Sequence, residues 1–167
     1  RDSFKLVDLC EANNINNGTS HEAITDCLNT ISISEIIYKK TNSIWKDALI
    51  TASKKDAENF ILKNKIYTSL EYYYGNSHPF LLHHILFHPE YHWSINWDCK
   101  VNPEKYLEMD RQALAKVLDS SPKIIRTVRS NKSVVLLKSG YALNTENYSK
   151  IGIDEINRRV QILKDNP

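Results

Sequence analysis

The sequence predicts an α+β protein: a helical N-terminal part followed by a small β-barrel with helices inserted between its strands. Three observations predict it. Apolar residues recur at helical spacing as far as about residue 63. Beyond that, Ile66-Tyr74, Phe80-Phe87 and His92-Trp97 are rich in aromatic and β-branched residues at a period of two, parted by turn signals at Gly75-Asn76-Ser77 and His88-Pro89-Glu90. Helical stretches then fall between short strands without the regular strand–helix alternation of a parallel sheet.

Taken in order, Asp2 or Ser3 can cap a first short helix that buries Phe4, Leu6, Val7 and Cys10 and fades at Asn13-Asn14. A polar turn at Asn16-Asn17-Gly18 leads to Thr19 or Ser20, either of which can cap a longer helix. Its residues Ala23, Ile24, Cys27, Leu28, Ile31, Ile36 and Ile37 fall mostly at helical spacing, and it runs to about Lys40. Thr41-Asn42-Ser43 is a break and the expected domain boundary, dividing 1–41 from 42–167. A lysine-rich helical connector covers about Ile44 to Lys63, and the three strands follow. Asp110 caps a helix to Leu118 with Leu114, Val117 and Leu118 inward; Ile124-Arg129 and Val134-Lys138 are read as a hairpin across Ser130-Asn131-Lys132. Asn144 to Asn166 is mostly helix, interrupted near Gly152.

Composition excludes several classes of function. Hydrophobic residues make up 41% of the 167, enough for a core, yet no apolar run reaches the about 18 residues a membrane helix needs. With no leader pattern either, the expected compartment is the cytoplasm. Cys10, Cys27 and Cys99 are odd in number and widely spaced, so neither a disulfide framework nor a cysteine zinc site is indicated. A net charge of +2 is uninformative, but its distribution is not: Lys123, Arg126, Arg129, Lys132 and Lys138 lie between Ser121 and Ser139 with no acid among them. Edge lysines that discourage aggregation are the plain reading, and a surface that recognises phosphate or carboxylate is the functional one.

The residues with most chemical content are His21 and Asp26, a histidine at a helix start and a carboxylate shortly inside it. Such a pair can hold a metal and deprotonate a water. The plain alternative is a polar helix start with a solvated aspartate, and Glu22 reads as a favourable charge in the first turn. His84, His88 and His92 are four apart, the spacing of zinc ligands on a helix, but Pro89 breaks that helix and the flanking residues read as strand, so packing or surface roles are expected for these and for His83. Tyr72 and Tyr74 fall on one strand face and Tyr73 on the other, so one set can stack on unpaired bases while the other packs.

The spacing His21-x-x-x-x-Asp26 resembles the last catalytic motif of the DEDD-type 3′→5′ exonucleases, histidine subclass. With Ser3-Phe4-Lys5-Leu6 and Ala12-Asn13-Asn14-Ile15 before it, and Phe87-His88-Pro89-Glu90, Ile151-Gly152-Ile153 and Ile162-Leu163-Lys164-Asp165-Asn166-Pro167 after it, the chain resembles bacterial exonuclease I nearly end to end, least between Thr41 and Tyr74. The resemblance implies that residues 1–41 close a ribonuclease-H-like exonuclease domain and that 42–167 form a Src-homology-3-like barrel. It implies degradation of single-stranded DNA to mononucleotides in DNA repair and recombination, two Mg²⁺ ions in the complete active site, Asp26 as a metal ligand and His21 as the general base. Among DNA contacts it points to Lys65, to which Arg126 and Arg129 are added from the basic stretch. As partner it implies the acidic tail of the single-stranded-DNA-binding protein, held by Leu143 and Lys150; lysine where the family has arginine forfeits a bidentate contact. A monomer is implied, without a membrane partner.

The family's Asp-x-Glu and second aspartate motifs do not precede His21. With Arg1 rather than methionine first and an end straight after a helix, the chain reads as an excised segment, silent by itself, whose first helices would show an apolar face to water. The competing reading is a non-catalytic module that binds single-stranded DNA or the acidic tail.

Overall fold

The computed structural model describes residues 3–16, 18 and 22–166. It separates into two compact units, residues 1–46 with 74–76, and 47–73 with 77–167.

In the first unit, α1 (Leu6–Ala12) packs on α2 (Ala23–Lys40), and α3 (Asn42–Leu49) begins directly after the break at Thr41. Helix α1 starts from Lys5 and no side chain caps it; Ser3 instead donates to the Asp8 carboxylate. Cys10 is its buried residue, whereas Phe4 and Val7, expected inside, are exposed. Helix α2 starts from Glu22, also without a side-chain cap, and the expected caps Thr19 and Ser20 lie outside the described residues. The stripe it buries is Thr25, Asn29 and Ile33, at i, i+4 and i+8. Ile24, Leu28 and Ile31 point the other way and are exposed.

The second unit is built on a five-stranded antiparallel sheet. Helix α4 (Lys54–Asn64) opens at Ser53, whose hydroxyl accepts from the Asp56 amide at 3.1 Å, and turns Ala57, Phe60 and Ile61 inward. Strands β1 (Ile66–Tyr73) and β2 (Asn76–Phe87) meet through Tyr74 and Gly75, both with positive φ, as a tight hairpin loop of the primed type needs. Strand β3 (Ser94–Asp98) is followed by a 3₁₀ turn (Pro103–Tyr106), α5 (Arg111–Leu118), β4 (Ile125–Val128) and β5 (Val135–Lys138). Asp110 caps α5 as expected, accepting from the Ala113 amide at 2.8 Å, although Leu118 is exposed rather than inward. The C-terminal part folds as α6 (Gly140–Leu143), α7 (Glu146–Ser149) and α8 (Ile153–Asp165), with the interruption at Gly152, where φ is +83°.

Strands β4 and β5 do not form the hairpin their proximity suggested. The sheet order is β4-β3-β2-β1-β5, with β4 paired to β3 and β5 paired to β1. The sheet curls, so that Arg126 on β4 reaches Glu71 on β1 past two intervening strands, and Val128 and Leu136 from the two edges share one core cluster. The link between β4 and β5 therefore joins the two edges of a curled sheet, the geometry of a small barrel. Consecutive residues of β2 serve opposite layers. Phe80 and Leu82 enter the inner cluster with Phe60, Ile61 and Tyr67, while Leu81 packs outward with Ala142, Tyr148, Ile156 and Val160. Among the described residues no helix is long and apolar enough to cross a membrane.

Candidate active-site helix and nucleic-acid interface

Asp26 stands in the first turn of α2, half-buried, with its amide donating to the Glu22 carbonyl at 2.9 Å and its own carbonyl accepting from the Thr30 hydroxyl at 2.7 Å. Cys27, Thr30 and Ile31 line a shallow concavity of about 410 Å³ with Asp26. His21, its expected partner, lies outside the described residues. Among the described residues no group of three His, Cys, Asp or Glu side chains could hold a metal ion. The described residues therefore do not by themselves make a site for two Mg²⁺ ions. An Asp-x-Glu does occur at Asp56-Ala57-Glu58, but on α4, where Asp56 serves the cap and Glu58 accepts from Ser130 at 2.9 Å.

The basic stretch divides into used and available cations. Arg126 is occupied. Its Nη1 donates to both Glu71 carboxylate oxygens at 3.2 and 3.0 Å, its Nε lies 3.4 Å from Asp98 Oδ2, and its Cζ sits 3.2 Å from the centre of the Phe80 ring. A phosphate would compete with two carboxylates for that guanidinium. Arg129 is exposed and stacks over Trp93, with its Cζ 4.3 Å from the ring centre, and Trp93 in turn stacks on Tyr91 at 4.8 Å. No acid pairs with Arg129 among the described residues. Parity explains the difference, since three residues along a strand reverse the side-chain face. Arg126 shares its inward face with core residue Val128, a signal present in the sequence although the basic stretch was read as one surface. Lys138 pairs with Asp47 at 3.7 Å, and Lys123 and Lys132 are exposed.

Inside the barrel, Tyr67 donates to Asn96 Oδ1 at 2.6 Å, Ser94 donates to the same oxygen at 2.8 Å, and His84 Nδ1 is 2.8 Å from the Ser94 hydroxyl. Burial pushes the Tyr67 phenol up, and burial with the nearby positive charge of Lys65 pushes His84 down to about 4. Asp98, almost fully buried, accepts from Tyr148 at 2.9 Å and from the Lys100 amide at 3.0 Å besides facing Arg126. Sequence reasoning missed this polar interior, because nothing in the alternation of His92–Trp97 marks Asn96, or Asp98 just past it, as buried. His83 and His84 lie on β2 and His88 in the following turn, where its Nδ1 accepts from the Glu90 and Tyr91 amides. Tyr72, Tyr73 and Tyr74 are all exposed, and the Tyr73 ring stacks on His78 at 3.9 Å.

Of the expected partner pocket, Leu143 is half-buried against the outer cluster, and Lys150 is exposed and pairs with Glu146 on its own turn. Lys65 ends α4 with φ +58°; its carbonyl accepts from the His84 amide at 2.8 Å and its side chain is exposed.

Over nearly its whole length the chain is similar in structure to E. coli exonuclease I in complex with a dA16 oligonucleotide, with a TM-score of 0.72, 21% identity, and coverage of 99% of this chain and 38% of that one. The chain has the exonuclease I fold. It matches an ExoI/SSB-Ct complex at a TM-score of 0.70 and 20% identity, and a zinc-bound E. coli ExoI–ssDNA complex at 0.70 and 21%, each over 99% of this chain and 38% of that one. The α+β architecture expected from the sequence is therefore the one observed, and the chain spans about 38% of the length of the exonuclease I chains it matches. No family model and no curated protein matches the sequence.

Proposed function

We propose that this chain is part of a 3′→5′ exodeoxyribonuclease of the exonuclease I type that degrades single-stranded DNA, in which residues 1–41 close the catalytic domain and 42–167 form the barrel that guides the strand. The observation that carries it is the exonuclease I fold over 99% of the chain, with Asp26 in the first turn of α2 and His21 five residues before it in the sequence. The solved relatives bound to an oligonucleotide and to SSB-Ct favour single-stranded DNA as substrate and the tail of a single-stranded-DNA-binding protein as partner. On this reading the enzyme acts in the cytoplasm in DNA repair.

The division of labour follows from the chemistry. Hydrolysis of a phosphodiester needs charge neutralised on the attacking and leaving oxygens, which divalent ions supply when bound, Mg²⁺ by our reading. Asp26 would contribute one oxygen ligand, and further acids must come from elsewhere in a longer chain. His21 would take the proton from the attacking water. Arg129, oriented by Trp93 and free of acids among the described residues, is the better of the two arginines for a phosphate contact.

Two measurements test this reading. The 167-residue chain with Mg²⁺ should leave a 3′-labelled single strand intact, and shortening by a nuclease-free preparation would show that its catalytic parts are misassigned. Arg129→Ala should flatten the log–log salt dependence of single-strand binding by roughly 0.7 for a lost phosphate contact, whereas an unchanged slope would remove Arg129 from the DNA path.

A further inference from the structure

The loop between β2 and β3 and the end of β4 stack four flat groups into a ladder. The His88 and Tyr91 ring centres are 4.8 Å apart, Tyr91 and Trp93 stack at 4.8 Å and 25°, and the Arg129 Cζ lies 4.3 Å from the Trp93 ring centre. The loop holds this shape from within. His88 donates its amide to the Trp93 carbonyl at 2.8 Å and accepts the His92 amide at its own carbonyl at 2.9 Å, while its Nδ1 accepts from the Glu90 and Tyr91 amides. Strand pairing supplies the last rung: the antiparallel register that sets Ser94 opposite Val128 brings Trp93 and Arg129, the next residues outward, onto one face.

The ladder leaves its polar edges unused. Among the described residues, the Arg129 guanidinium makes no hydrogen bond and has no carboxylate within 4 Å, and the Trp93 N–H and the Tyr91 hydroxyl have no hydrogen-bond partner. Arg129 is exposed and lies over no second ring among these residues, so the guanidinium face turned from Trp93 is open. Lys132, exposed on the same turn, donates its amide to the Arg129 carbonyl at 2.9 Å and adds a second cation. A phosphate engages only the N–H edge of a guanidinium. The indole beneath Arg129 fixes something else, the orientation of its plane, and a guanidinium plane takes an unpaired base as an aromatic ring does.

We propose that Arg129 is a base-stacking rung: an unpaired nucleobase lies on its open face while the adjoining phosphate meets its N–H edge, so that the barrel distinguishes a strand that carries bases from one that lacks them. The proposal rests on the single-strand reading above and goes beyond it, because a phosphate contact alone is blind to the base. A peptide carboxylate would meet the edge and leave the plane unanswered. Stacking also accounts for arginine at this position, since lysine has the charge but no plane.

The test compares two fluorescein-labelled strands of equal length and charge, an oligothymidylate and its abasic counterpart, titrated into the full chain by anisotropy across a salt series. The thymine strand should bind about fivefold or more tighter, as one stacked base implies. Arg129→Lys keeps the charge and removes the plane, so it should reduce that preference by roughly twofold or more and leave abasic-strand affinity and both salt slopes unchanged. Lys132→Ala should weaken both strands alike. Trp93→Leu should also reduce the preference; should it melt early, Arg129→Lys at its exposed position decides alone. Three results overturn the proposal: both strands binding equally tightly, a preference that Arg129→Lys leaves intact, or equal weakening of both strands by Arg129→Lys. Absence of binding by both strands would instead remove the single-strand reading, and the proposal with it.

Discussion

Helices α2 and α4 use amphipathic sequence to opposite ends. Helix α4 turns Ala57, Phe60 and Ile61 into the barrel and leaves Lys54, Lys55 and Lys63 in water. Helix α2 buries Thr25 and Asn29 beside Ile33, and shows Ile24 at 77%, Leu28 at 46% and Ile31 at 56% exposure. Burying a Leu or Ile side chain is worth about 1.5–3 kcal/mol, so three exposed ones leave several kcal/mol unrealised. A contiguous aliphatic stripe of this kind marks an interaction surface. The contrast teaches that α4 turns three apolar residues of its sequence into the barrel core, whereas the aliphatic stripe of α2 is left uncovered by the described residues. On the proposed function the rest of the nuclease domain covers that stripe, and Asp26 stands beside it.

Substitutions can break this contrast, beginning with the largest effect. Arg126→Ala removes the cation that faces buried Asp98 and Glu71, and should cost about 3–5 kcal/mol by urea denaturation, as expected when one partner of a buried ion pair is lost. Arg129→Ala, on the outside, should cost less than about 1 kcal/mol. Leu82→Ala in the inner cluster should cost about 2–5 kcal/mol. If either interior substitution were tolerated like a surface one, the barrel core that α4 covers would not be closely packed.

A smaller effect comes from pH. The His84 imidazole sits at about 4 in the fold against an ordinary 6.5, so the unfolded chain binds its proton first. Stability held by the neutral ring is intact above about 6.5, erodes as pH falls towards about 4, and loses at most about 3 kcal/mol by the linkage of a shifted group. Urea midpoints should fall across that window, and His84→Gln should flatten the fall. The smallest change is expected on α2. Ile24→Ser with Leu28→Ser should alter the stability of this chain by about 0.5 kcal/mol or less, while reducing any self-association seen by sedimentation. A large loss of stability would mean that the stripe is already satisfied within the chain.

Local chemistry was the legible part of the sequence. Asp110 caps α5, Pro89 ends the β2 region, Gly152 interrupts the C-terminal helices, and the change of period near Lys65 marks the start of the sheet. Pairing across distance was not legible. Strands β4 and β5 are close in sequence and read as a hairpin, because nothing local says that a curled sheet brings its edges together at that link. The two arginines were grouped by charge, although their odd separation on a strand sends them to opposite faces. The expected burial of Phe4 and Val7 failed for a related reason: helical spacing identifies an apolar face without naming what covers it.

The proposal that α2 carries the last catalytic motif is tested most directly by single-turnover hydrolysis of a 3′-labelled single strand, at saturating Mg²⁺, by the full-length protein with Asp26→Ala and, separately, His21→Ala. Asp26→Ala should abolish cleavage and weaken Mg²⁺ binding, and His21→Ala should slow cleavage by roughly 10²-fold or more with DNA affinity little changed, as loss of a general base requires. Cleavage at the wild-type rate by either variant would contradict the account.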